Sequence, residues 1–115
     1  MEVKNAKIRS TSLGVEGHGI FTFMLHLDYG GSGQGAGGFG LDGHDESKDY
    51  RPGFKGAIPL LNEILRVAGV DTWEDLPGTL IRVSADDCEV EKIGHITDDK
   101  WLNFKSFIKK LKDDN

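Results

Sequence analysis

One cysteine in 115 residues is too few for an intramolecular disulfide or for a four-cysteine zinc site within one chain. Long apolar runs are missing as well, so no segment reaches the length of a membrane-spanning helix. Met1-Glu2-Val3-Lys4 begins no secretory signal. The expectation from these absences is a soluble, cytoplasmic protein. Basic residues are in deficit, 14 Lys and Arg against 19 Asp and Glu, for a net charge of −5. That balance disfavours direct nucleic-acid binding, which calls for a basic surface. The length fits a single domain covering residues 1–115.

Glycine, by contrast, is abundant and unevenly placed: eight of the 16 lie in the run GGSGQGAGGFGLDG between Gly30 and Gly43. Flexible linkers share this composition, but the 29 residues before the run are too few for a domain. The segment ahead of it alternates, with Phe21, Phe23, Leu25, Leu27 and Tyr29 at odd positions and Thr22, Met24, His26 and Asp28 between them. Such alternation marks a half-buried strand. Phe39 and Leu41 continue the odd apolar set, so the run reads as strand end, turn and strand start. Keeping apolar residues on one face pairs Leu27 with Phe39 and Leu25 with Leu41, with the turn at Ser32-Gly33-Gln34. Gly38 and Gly40 then leave a strip without side chains, bordered by His26, Asp28 and Asp42. These five residues are the candidate binding site, and the competing reading is that the glycines serve only twist and packing.

The remaining pattern is regular. Residues 3–10 predict a first strand with Ala6 and Ile8 inward, joined to the Phe21 strand by a glycine-punctuated turn at 13–19. The polar stretch 42–56 predicts a loop. The main helix is expected over Ala57–Ala68, with Ile58, Leu61, Ile64, Leu65 and Ala68 as its apolar stripe, Pro59 in its first turn and Gly69 as its stop. A capped helical turn follows at 71–76. Strands are expected over 79–85 and, less regularly, 88–96. A short amphipathic helix over 103–112 turns Phe104, Phe107, Ile108 and Leu111 inward. The order β-β-β-α-β-β-α implies an α+β domain, an antiparallel sheet of four or five strands with a glycine-rich hairpin, covered by helices.

Chemistry-bearing motifs are weak. Gly33-Gln34-Gly35-Ala36-Gly37-Gly38 matches G-x-G-x-x-G, but a dinucleotide fingerprint opens a helix and this one leads into strand-like Phe39-Gly40-Leu41. His18, His26, His44 and His95, with Asp42, Asp45, Glu46 and Asp49, lack the spacing of a metal site. Nothing around Cys88 activates a thiolate. Trp73 and Trp101 read as core or lid residues. Lys105, Lys109, Lys110 and Lys112 read as a solvated helix face balanced by Asp98, Asp99, Asp113 and Asp114. No catalytic residue, metal ligand or cofactor is assigned, and the chain is expected not to be an enzyme.

Two stretches carry a resemblance. One is His18-Gly19-Ile20-Phe21-Thr22-Phe23, with Leu27-Asp28-Tyr29-Gly30-Gly31 and Gly37-Gly38-Phe39-Gly40-Leu41-Asp42. The other is the segment from Leu65 to Gly78, with Ile81-Arg82-Val83, Ile93-Gly94-His95-Ile96 and Lys100-Trp101-Leu102. Together they resemble a family of small accessory proteins of tailed bacteriophages and prophages. The resemblance implies expression in a bacterial host and action by binding a host protein or defence complex, in the manner of anti-CRISPR and other anti-defence proteins. It supplies no catalytic residues. Two alternatives stand beside it: a small nucleotide-binding protein or enzyme using the glycine hairpin, and a virion structural or assembly protein. Oligomeric state is left open.

Overall fold

The computed structural model describes residues 1–113, so Asp114, counted above among the acids balancing the last helix, lies outside the described residues. The elements are β1 (Glu2–Val15), β2 (Phe21–Asp28), β3 (Gly33–Gly40), α1 (Ala57–Ala68), a 3-10 turn at Trp73–Asp75, β4 (Leu80–Ala85), β5 (Val90–His95), β6 (Trp101–Asn103) and α2 (Phe104–Asp113). They form an α+β domain with one six-stranded antiparallel sheet in the order β3-β2-β1-β4-β5-β6. Among the described residues, no helix is long and apolar enough to cross a membrane.

The sheet has one strand more than the sequence pattern implies. At three residues β6 is too short to show alternation, yet Ile93 pairs with Leu102 and Gly94 with Trp101. β1 runs five residues beyond the expected end at Ser10, because a bulge at Arg9 lets pairing with β2 continue from Ser10–His26 to Val15–Phe21.

Burial is one-sided. Ala6, Ile8, Phe23, Leu25, Leu27, Ile81, Val83, Ile93 and Leu102 line the inner face and are buried. α1 packs on them through Leu60, Ile64 and Val67, all fully buried. The expected stripe is therefore rotated: Leu61 and Leu65 are half-buried at its margin and Ile58 is 66% exposed. Gly69 ends α1 in the left-handed conformation, φ 82°, with its N–H bonded to Leu65 and Arg66 carbonyls. Asn103 accepts the Ser106 N–H at 3.1 Å and starts α2. Phe104 then reaches the core, its ring stacked 5.6 Å from Phe39 and tilted 6.0 Å from Phe23. Trp73 meets Phe23 edge-on at 6.3 Å, a core margin contact.

The glycine hairpin closes earlier than apolar matching suggests. Leu27 pairs with Gln34 and Leu25 with Ala36, so neither pairs with Phe39 or Leu41. The turn is at 29–32: the Tyr29 N–H bonds to the Ser32 carbonyl at 2.9 Å, and Asp28 Oδ1 accepts the Gly30 N–H at 2.8 Å. Gly37 (φ 118°) and Gly38 (φ 83°) then form a bulge before Thr22 pairs with Gly40. The inserted residue switches the inward set from Gln34 and Ala36 to Phe39 and Leu41. Half of β3 thus has the parity opposite to the one its aromatic residue indicates.

Candidate binding face of the sheet

Helices and core occupy the inner face; the outer face of the sheet carries no covering element among the described residues. Cross-strand register arranges its side chains in rows. Asp28, Lys7 and Leu80 form one row; Asn5, Arg82, Gly94 and Trp101 a second; Val3, Ser84, Lys92 and Asn103 a third. His26 stands beside Ser10 and Met24 beside Ser12.

The five sequence-derived residues separate on this frame. His26 and Asp28 lie on the outer face, opposite Gly35 and Gly33 rather than Gly40 and Gly38. A glycine strip does border them, but it is not bare. A β-carbon on Gly35 would meet Met24 Sδ at 2.9 Å, and one on Gly38 would meet Met24 Cε at 3.2 Å. The thioether therefore lies along the strip. Gly37 leaves room for the Phe23 ring, which would stand 2.6 Å from a β-carbon at that position. Gly40 has Ile20 Cγ2 at 3.3 Å. Asp42 sits apart, receiving the Phe21 N–H at 3.1 Å and the Arg51 Nε at 3.1 Å. Arg51 and these bonds hold its carboxyl below the ordinary value. Asp42 also borders an open depression of 540 Å³ with His44, Asp45, Glu46, Phe54 and Lys112. No group of three or more His, Cys, Asp or Glu among the described residues is arranged to hold a metal ion.

The more organised surface lies at the other end of the outer face. Trp101 leans over Gly94, where a β-carbon would stand 2.6 Å from the ring. Arg82 Cζ is 4.8 Å and Lys92 Nζ 5.0 Å from that ring's centroid. Arg82 is fixed by two further bonds, donating Nε to the His95 carbonyl at 2.7 Å and Nη2 to the Asp98 carbonyl at 2.8 Å. His95 Nδ1 accepts the Thr97 and Asp98 N–H groups at 3.2 and 2.9 Å, which shapes the turn offering those carbonyls. Val3 and Leu80 beside this cluster are 55% and 54% exposed. Sequence reading missed the cluster. Its one available signal was the alternation of Leu80, Arg82 and Ser84 against Ile81, Val83 and Ala85 in β4.

No protein-family model, curated protein or solved structure matches the chain.

Proposed function

We propose that the chain is a bacteriophage accessory protein that acts by binding, with a protein complex of bacterial host defence as its target class. The observation that carries the binding reading is the outer face of the sheet: six strands are covered on one side only, and the bare side holds a fixed Arg82–Trp101–Lys92 cluster next to exposed Val3 and Leu80. Arginine and tryptophan are the residues over-represented among energetic anchors of protein interfaces, and pre-fixing a side chain lowers the entropy lost on association. Resemblance to phage accessory proteins supplies the bacterial host setting. Affinity capture from infected and uninfected host lysates, with hydrogen exchange on the captured complex, tests the reading. A specific macromolecular partner that protects β1, β4 and β5 supports it. Recovery of no macromolecule, with turnover of a small molecule instead, removes it.

A further inference from the structure

Resting on that reading, we infer that the partner presents an acidic protein surface with an apolar contact, seated on the outer-face patch formed by Lys7, Leu80, Arg82, Lys92 and Trp101. The chain is acidic overall, at −5, yet this face gathers three cations, Lys7, Arg82 and Lys92. The rows that place Lys7, Arg82 and Lys92 on this face include one acid, Asp28, which is bonded to its own turn at Gly30. None of these three cations is paired with a carboxylate among the described residues, whereas Arg51, Arg66, Lys100 and Lys105 each are. An unpaired basic patch on an acidic molecule steers acidic partners toward it and repels basic ones.

Two features select protein over nucleic acid as the occupant. Leu80 within the patch and Val3 at its border expose aliphatic surface, which a partner's apolar side chain gains by covering and a phosphate does not. Acids also bound the patch, with Asp98 and Asp99 in the turn that Arg82 holds and Asp86, Asp87 and Glu89 beyond β4. A local cluster of carboxylates fits inside that rim. A phosphate backbone running across it meets like charge.

The test titrates the isotope-labelled full chain with a short peptide of glutamates around a central leucine, and in parallel with its lysine counterpart and a short oligothymidylate. The expected result is salt-sensitive shifts at Lys7, Leu80, Arg82, Lys92 and the Trp101 indole with the acidic peptide, and none with the lysine peptide. Lys7→Glu together with Lys92→Glu should weaken binding roughly tenfold or more, with the spectrum elsewhere unchanged as the check on folding. Absence of shifts, shifts confined to the α2 lysines, or tighter binding of the oligothymidylate at the same residues each overturns the inference. A patch that takes the acidic peptide while host lysates yield no macromolecule and a small molecule is turned over instead preserves this chemistry and removes the function proposed above.

Discussion

The indole of Trp101 rests on Gly94 so closely that a β-carbon at position 94 would stand 2.6 Å from ring atom Cε3. The two residues are direct cross-strand partners in β5 and β6. Gly94 is buried although it lies on the outer face, because the ring covers it. The missing side chain brings Trp101 within reach of Arg82 and Lys92 at once.

Gly94→Ala is therefore expected to lift the ring from the sheet and to cost about 1–3 kcal/mol, the usual range for overpacking a close contact. Urea unfolding measures the loss, and indole fluorescence reports the changed surroundings of Trp101. A variant with wild-type stability and emission would show that the ring moves aside freely.

The hairpin glycines are expected to differ sharply from one another. Gly37 combines φ 118° with the Phe23 ring at 2.6 Å, so Gly37→Ala should cost about 3 kcal/mol or more. Gly40 has no left-handed backbone, and its nearest neighbour is the Ile20 methyl at 3.3 Å, so Gly40→Ala should stay within about 1 kcal/mol of wild type. Paired thermal melts read the contrast; equal losses at the two sites would contradict the bulge.

On α1, Leu60 is fully buried and Ile58 is 66% exposed. Leu60→Asp puts an unpaired carboxylate into the core and should abolish cooperative unfolding. Ile58→Asp should change stability by about 0.5 kcal/mol or less. Leu61 lies half-buried at the margin, and Leu61→Asp should fall between them. Circular dichroism melts of the three variants order the helix faces, and a severe loss at Ile58 would mean that the helix packs through the other side.

Acid should weaken the fold through depressed carboxyls. Asp86 is lowered by the N–H groups of Glu89 and Cys88, and Asp42 first by its bond to Arg51. A carboxyl whose folded value lies below its unfolded one binds more protons when unfolded. Its contribution is present at neutral pH, begins to fail near the ordinary value of 3.8, and is lost as pH falls through the lowered value. Asp86→Asn keeps an oxygen for the two N–H groups but does not titrate. It should melt near wild type at neutral pH and lose less on acidification. An unchanged acid slope would assign the effect to other carboxyls.

Element identity was legible wherever a period had enough residues to repeat. Alternation from Phe21 to Tyr29 located β2, and the apolar spacing of 57–68 located α1, because each pattern reports which side of its own element faces away from water. The α+β class followed from element order alone. Relations between elements were not legible. β3 has glycine at five of its eight positions, so few side chains recorded the register and Phe39, beyond the bulge, pointed to the wrong one; the turn at 29–32 with the bulge at Gly37 and Gly38 set it instead. The rotation of α1 toward Leu60 and away from Ile58 depended on which helix face meets β5 and β6, since several apolar faces were available to the sequence. The Arg82–Trp101–Lys92 cluster draws on β4, β5 and β6, 19 residues apart from Arg82 to Trp101. Taken alone, Trp101 reads as a core or lid residue, and the alternation of β4 says only that Arg82 points away from the core. Only the antiparallel register lays Trp101 beside Gly94 and across toward Arg82, because cross-strand neighbours are chosen by backbone hydrogen bonding between strands and not by any pattern within one.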